Sequence, residues 1–273
     1  MMLATALAVI ATATAAAPAT SMEIQAHRGG SFVEGRATYP EATMPAFRAA
    51  AKRGFVLEFD IQMTKDGVPV VIHDDTLDRT TVCRGPVAAR TARQIRRNCR
   101  TDVLGSPGST LGSKRTRKRI PVPTLAEVLA LVKRTGARAS IELKQFDPSG
   151  ASARALAAAV QRSGVPQSSL IVQSFFPPNL AAARAAMPGV ALSALTIKAG
   201  EATSIQNAVD MGAAWVSPQF PVDAAYVEAA HAAGLKVVPF TLNAEAEIRA
   251  AAEMGIDAVI TDDPVMAQRV LTG

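Results

Sequence analysis

From residue 22 onward, short apolar runs alternate with longer stretches whose apolar residues recur every three or four positions. The short runs predict strands over 22–26, 55–63, 139–143, 170–173, 190–195, 215–217, 236–240 and 258–261. The periodic stretches predict helices from Pro40 to near Gly54 and from Thr124 to Gly136. Further helices are predicted over 151–162, 179–186, 202–211, 224–233, 244–254 and 264–271. Thr124 with Glu127 three residues on is a capping box. Gly136, Gly164, Gly212, Gly234 and Gly255 stand where a helix would turn back into a strand. After Lys65-Asp66-Gly67, a turn by composition, residues 68–72 make a further extended piece that delivers His73.

Strict alternation of strand and helix means a parallel sheet. Eight such units over about 250 residues are the size of a closed (β/α)8 barrel, a TIM barrel in one domain. An open doubly wound sheet is the alternative. Against it, no Gly-rich dinucleotide fingerprint follows the first strand.

Composition supports one large core: of 273 residues, 49% are hydrophobic and 19% charged. The charge is unevenly placed. Between Cys83 and Ile120, eleven Lys and Arg face a single acid, Asp102, so that segment is +10. The whole chain is +6, which leaves −4 for the remainder. Residues 83–119 therefore read as a basic surface insertion after the second strand. It can be a solvated loop or a device that steers anions. Without interleaved aromatic residues it does not suit a nucleic acid.

Residues 1–20 hold no charged side chain and end in Ala15-Ala16-Ala17-Pro18-Ala19, so they read as a signal peptide cleaved near 17–20. The run is too short and too rich in Thr and Ala for a stable membrane span. The expectation is a secreted, periplasmic or cell-surface protein whose working domain is 22–273. In an oxidising compartment Cys83 and Cys99 would close a loop of about 15 residues, worth roughly 3 kcal/mol. In the cytoplasm they would be two unrelated thiols.

The chemistry gathers at predicted strand ends. Glu58 and Asp60 are two apart in a buried strand, so both leave one face, roughly 7 Å apart. Two bare carboxylates there repel by about 2–3 kcal/mol at an effective dielectric near 20. Either a cation compensates them or each bonds a neighbouring Arg. His27 and Arg28 follow the first strand, His73 follows the extended piece, and Glu142 and Lys144 end the third strand. Three carboxylates with two histidines at one rim fit a hard divalent cation flanked by acid–base groups. His231, inside an Ala-rich helix, reads as an ordinary surface or packing residue.

A set of motifs runs through the chain in a fixed order. It comprises Ala-His-Arg-Gly-Gly (26–30), Tyr-Pro-Glu-Ala-Thr (39–43) and Leu-Glu-Phe-Asp-Ile-Gln-Met-Thr-Lys-Asp-Gly (57–67). Val-Ile-His-Asp-Asp-Thr-Leu-Asp-Arg-Thr-Thr (71–81) and Ile-Pro-Val-Pro-Thr-Leu-Ala-Glu-Val-Leu (120–129) follow. Ile-Glu-Leu-Lys (141–144), Gln-Ser-Phe (173–175) and Ile-Thr-Asp-Asp-Pro (260–264) complete it. In this ordered set the chain resembles the glycerophosphodiester phosphodiesterase family, of the secreted bacterial type.

The resemblance implies hydrolysis of small-molecule glycerophosphodiesters to sn-glycerol 3-phosphate and an alcohol. It implies His27 and His73 as the acid–base pair, and Glu58, Asp60 and Glu142 as ligands for Ca2+ or Mg2+. Arg28 and Lys144 match phosphate-holding positions, Phe240 the substrate wall, and Glu41 and Asn243 supporting positions. Three departures stand out. Ala42 replaces the Asn that the family commonly carries, Pro239-Phe240-Thr241-Leu242-Asn243 stands where a Trp is common, and the basic stretch with its cysteine pair is longer and more Arg-rich than the family's usual connection. The basic insertion suggests a glycerophosphate polymer as a further partner. Two other readings share the barrel: a phospholipase D-like lipid hydrolase, which needs an apolar entrance where this rim reads as basic, and a non-catalytic polyanion-binding module.

Overall fold

The computed structural model describes residues 22–197 and 202–273. The leader expected over 1–20 lies outside the described residues. In chain order the first strands are β1 (Glu23–Ala26), β2 (Phe32–Val33), β3 (Arg36–Ala37), β4 (Val56–Met63) and β5 (Pro69–Val71). They are followed by β6 (Arg100–Gly105), β7 (Ser113–Pro121), β8 (Ala139–Leu143) and β9 (Leu170–Ser174). The last are β10 (Ala191–Thr196), β11 (Trp215–Pro218), β12 (Lys236–Val237) and β13 (Ala258–Thr261). The helices are α1 (Met44–Lys52), α2 (Ala92–Asn98), α3 (Leu125–Thr135), α4 (Ala151–Ser163) and α5 (Pro177–Ala186). Then come α6 (Ala202–Asp210), α7 (Ala224–Ala232), α8 (Glu245–Glu253) and α9 (Pro264–Thr272).

Eight strands lie parallel in the order β12-β11-β10-β9-β8-β4-β1-β13, and a helix of the outer ring follows each. The segment just after β12 closes onto β13 through two 3.0 Å bonds, Leu242 N–H to Ile260 O and Ile260 N–H to Pro239 O. The result is a nearly closed (β/α)8 barrel, as the alternation predicts. On β4, Leu57, Phe59 and Ile61 join the large core between strands and helices, where Phe59 meets Phe47 of α1 edge-on at 5.5 Å. Strand geometry turns Glu58, Asp60 and Gln62 to the opposite, inner side. A separate cluster of Ile171, Trp215, Val238, Ala258 and Ile260 is distinct from that outer core.

Local signals explain most boundaries. The capping box forms: Thr124 N–H donates to Glu127 Oε2 at 3.0 Å, and Thr124 Oγ1 accepts from Glu127 N–H at 3.4 Å. Of the predicted strand 236–240 only Lys236–Val237 forms a continuous ladder. Pro239 has no N–H to give and interrupts it, and pairing resumes as an isolated bridge between Phe240 and Gln219. The helix predicted from Pro40 starts at Met44. Residues 40–43 instead form a turn with Ala42 at φ 53°.

The basic insertion is more than a solvated excursion. It builds α2 and the β6–β7 hairpin on a small core of its own that includes Leu77, Val87, Ile95 and Val122. Cys83 and Cys99 are disulfide-bonded beneath it. The tip of the hairpin folds over the C-terminal mouth of the barrel, where Ser106, Pro107, Gly108, Ser109 and Thr110 line the central cavity.

Candidate active site

A cavity of about 570 Å3 opens at the C-terminal ends of the strands. The sequence places its acids by register. Asp60 of β4 lies opposite Glu142 of β8, and Glu142 lies opposite Gln173 of β9. Glu58, Asp60 and Glu142 each present a carboxylate oxygen within 4.8 Å of the others, and all three are buried. Glu58 accepts from Arg28 N–H at 2.9 Å and from Gln173 Nε2 at 2.7 Å. Lys144 Nζ stands 3.1 Å from Glu142 and 3.6 Å from Asp60. Arg28 Nε reaches Asp60 only at 3.7 Å, while its Nη1 leans on Glu41 at 3.3 Å. The arginine alternative therefore accounts for part of the compensation only.

The electrostatics carry the mark of crowding. Burial, and then the Asp60 charge, push Glu58 up to about 7. The same two causes raise Glu142 well above its ordinary range. Burial also works on Asp60, but His73, Arg28 and Lys144 outweigh it and hold that carboxyl below its usual value. Asp60 Oδ2 is buried with no hydrogen-bond donor. Three converging oxygens with an orphaned lone pair fit a hard divalent cation, which Glu58, Asp60 and Glu142 would hold.

Both predicted histidines line the same cavity, and each is held in the same manner. His27 Nδ1 lies 2.6 Å from Asp262 Oδ1, and His73 Nδ1 lies 2.6 Å from Asp74 Oδ1. A carboxylate at Nδ1 selects the tautomer protonated there and leaves Nε2 for other work. The settings differ otherwise. Burial and Arg28 oppose the charge on His27, yet Asp262 and Glu58 prevail and raise its pKa. Burial lowers His73, helped by Arg28 and Lys144, against the pull of Asp74 and Asp60.

Behind the pair stand Asp262 and Arg79, to which the sequence reading gave no role, beside the expected supporting residues Glu41 and Asn243. Asp262 Oδ2 accepts from Ser109 Oγ at 2.5 Å and from Asn243 Nδ2 at 2.8 Å, and these contacts with His27 hold it near pKa 2 despite burial. Arg79 donates to Asp74 through Nε at 2.7 Å and to Pro107 O at 2.7 Å. Glu41 takes Arg79, Arg28 and the Ser106 hydroxyl. Arg79, Gln173 and Asp262 all lie inside the motifs that carry the resemblance. For Gln173 and Asp262 a charged or amide side chain at a strand end was the available signal; Arg79 lies in a turn beyond β5 and offered none of that kind.

Phe240 lines the cavity and meets Phe175 edge-on at 5.9 Å. With Leu195 and Phe220 these side chains make the arc from β9 to β12 apolar. The expectation of a basic rim is thus corrected: basic and acidic groups occupy one half of the mouth only. His231 lies outside the cavity on α7, bonded to Asp257 at 2.9 Å. Among the described residues no helix is long and apolar enough to cross a membrane.

Fold and site together define a barrel enzyme with a buried acidic triad and two imidazoles at its C-terminal mouth. The sequence profile of the glycerophosphoryl diester phosphodiesterase family matches residues 27–266, and the chain belongs to that family. A glycerophosphodiester phosphodiesterase of Bacillus altitudinis is 31% identical over 260 residues, covering 91% of this chain and 97% of that one. One from Caldanaerobacter subterraneus is 31% identical over 244 residues, with 88% and 93% covered. Among solved structures, an Oleispira antarctica phosphodiesterase in complex with the product sn-glycerol-3-phosphate is 25% identical with a TM-score of 0.76, covering 92% of this chain and 97% of that one. A glycerophosphodiester phosphodiesterase from Agrobacterium tumefaciens is 26% identical with a TM-score of 0.69, covering 91% and 99%.

Proposed function

We propose that the protein hydrolyses glycerophosphodiesters to sn-glycerol 3-phosphate and an alcohol, using Ca2+ or Mg2+ with His27 and His73 as the acid–base pair. The observation that carries this reading is the buried acidic triad placed in one cavity with two imidazoles, each fixed by a carboxylate. Family membership and the product bound by the Oleispira protein support it.

A bound divalent cation supplies charge neutralisation at the phosphate oxygens and a lowered pKa for a hydroxyl or water beside them. Arg28 offers a planar guanidinium to the phosphate and Lys144 a point charge. One imidazole accepts a proton through Nε2 from the attacking hydroxyl or water. The other donates one to the leaving alkoxide. Asp262 and Asp74 keep the two rings in the tautomer this exchange requires. Phe240 and Phe175 form a wall for the alcohol, and Glu41 and Asn243 hold Arg28 and Asp262 in place.

A second reading, the same chemistry on an acyl-bearing lipid, is favoured by the apolar arc of Phe175, Leu195, Phe220 and Phe240. One panel separates the two. It contains glycerophosphocholine, -ethanolamine, -glycerol and -inositol, a glycerophosphate polymer and a lysophospholipid, each with EDTA and with Ca2+ or Mg2+ added back. Turnover of the deacylated esters that vanishes in EDTA supports the first reading. Turnover of the lysophospholipid alone replaces it with the second.

Residues 1–20 are read as a secretion signal preceding a domain over 22–273. The Cys83–Cys99 disulfide supports an oxidising compartment.

A further inference from the structure

The hairpin that roofs the cavity has two unlike strands. Thr101, Val103 and Gly105 of β6 are buried against the barrel body. Its outer partner β7 is hydrogen-bonded to no other strand among the described residues and carries Lys114, Arg115, Arg117, Lys118 and Arg119, all exposed. Asp102 pairs with Arg115 at 2.7 Å and Arg119 at 2.9 Å. Among the described residues no carboxylate lies within ion-pair distance of Lys114, Arg117 or Lys118. An exposed edge strand is commonly guarded against self-pairing by a lysine or two. Five cations in six positions exceed that need.

A second observation comes from the same end of the barrel. Among the described residues the two most exposed large apolar side chains are Phe146, 60% accessible, and Ile197, 67% accessible. Phe146 lies in the loop just after β8, its ring edge-on to Phe176 at 5.5 Å, and Ile197 directly follows β10. Both therefore stand at the C-terminal ends of barrel strands, on the mouth face, near the strands that carry the apolar arc. Solubility explains the basic strand and leaves these two residues unaccounted for. So does a dissolved polyanion, which has no use for an exposed phenyl and sec-butyl group. A lipid surface accounts for both. Its anionic headgroups attract clustered Lys and Arg, and its headgroup–acyl boundary takes up single apolar side chains.

We propose that the mouth face of the barrel docks on an anionic lipid bilayer, with β7 against the headgroups and Phe146 and Ile197 entering the interface. This needs no membrane-crossing segment and holds whichever phosphodiester the cavity accepts. It puts the cavity at the surface from which deacylated lipid headgroups are released.

The test is co-sedimentation of the full chain with vesicles of phosphatidylcholine alone or mixed with phosphatidylglycerol, at low and high salt and without substrate. Three proteins are compared: wild type, Lys114→Gln/Arg117→Gln/Lys118→Gln, and Phe146→Ser/Ile197→Ser. All keep residues 1–21, so binding owed to that segment is common to them. Wild type is expected to prefer the anionic vesicles and to leave them as salt rises. The basic triple variant is expected to lose at least about tenfold in partitioning, and the apolar pair several-fold. All three should hydrolyse soluble glycerophosphocholine at one rate and melt together, which shows that the folds are intact. Equal binding to neutral and anionic vesicles, or wild-type partitioning by the triple variant, overturns the proposal. So does partitioning that is unchanged in the apolar pair and abolished by a soluble glycerophosphate polymer, which assigns β7 to a polyanion. A protein that binds vesicles normally and hydrolyses no glycerophosphodiester would defeat the functional reading and leave the docking face standing.

Discussion

Arg79 meets Glu41 with both terminal nitrogens, Nη2 to Oε1 at 2.7 Å and Nη1 to Oε2 at 3.0 Å. The same guanidinium holds Asp74, which holds His73, while Glu41 also steadies Arg28. One buried carboxylate and one arginine thus join a candidate acid–base group to a candidate phosphate group. Burial works against the ionised form of Glu41, but Arg28, Arg79 and Ser106 keep its carboxyl below the usual range.

From this follows the behaviour of Arg79. Arg79→Lys keeps the charge and loses the planar fork, so it cannot serve Glu41 and Asp74 together. We expect kcat to fall by about 10- to 100-fold with a small change in KM. Arg79→Met, which leaves Glu41 short of a partner in a buried setting, should also cost roughly 3 kcal/mol in denaturant unfolding. A lysine variant with unchanged kcat would show that the fork positions nothing.

The acidic triad predicts an opposite pattern with and without cation. In EDTA, Glu58→Gln removes a buried charge that crowds Asp60, so its Tm should equal or exceed that of wild type. With Ca2+ or Mg2+ added, wild type should gain stability by mass action while the variant gains little. Calorimetric titration should find one divalent site in wild type, much weakened in Glu58→Gln, Asp60→Asn and Glu142→Gln. Equal cation binding by all four proteins would remove the assignment.

Much of this was legible in the sequence, and the reasons are physical. Barrel strands are bounded by Gly and polar residues, so the fold could be read directly. The two acids on β4 break an apolar run at a period of two, but whether a cation or an arginine answers them stayed open, and Glu142 joins them from β8. Asp262 could not be paired with His27, because 235 residues separate them and only barrel closure brings β13 beside β1. The part the insertion plays at the cavity was hidden for another reason. Its charge dominates the composition, whereas the residues that matter at the cavity, Ser106 and Ser109, are small and occupy a loop without periodicity. The apolar arc escaped notice because each contributing strand end supplies one or two side chains.

The twin carboxylate–imidazole pairs give a pH test. Asp262 raises the pKa of His27 and Asp74 that of His73, so removing either carboxylate lowers the pKa of its own ring. If one imidazole works as the base and the other as the acid, kcat/KM is bell-shaped in pH. Asp262→Asn should shift one limb toward acid and Asp74→Asn the other, each by about a unit or less, with turnover reduced through the altered tautomer. Movement of the same limb in both variants would mean that only one histidine transfers a proton.

The turn at Ala42 connects stability to this site. Ala42 sits at φ 53°, in the left-handed region that costs an alanine about 1 kcal/mol or more. Its N–H donates to Arg28 O at 2.7 Å, and its position lets the chain present Glu41 to the mouth before turning into α1. Asn, which the family commonly carries there, tolerates this conformation better than Ala. The departure is therefore one of backbone strain. Ala42→Gly should leave unfolding free energy unchanged or raise it by up to about 1 kcal/mol, strain relief being partly offset by the freer unfolded chain. Ala50→Gly, a helical position in the last turn of α1, should lower it by about 1 kcal/mol. Ala42→Val, β-branched at positive φ, should lose about 2 kcal/mol and also kcat, since the displaced turn carries Glu41. If the two glycine variants were destabilised alike, the turn would hold no strain for a glycine to release.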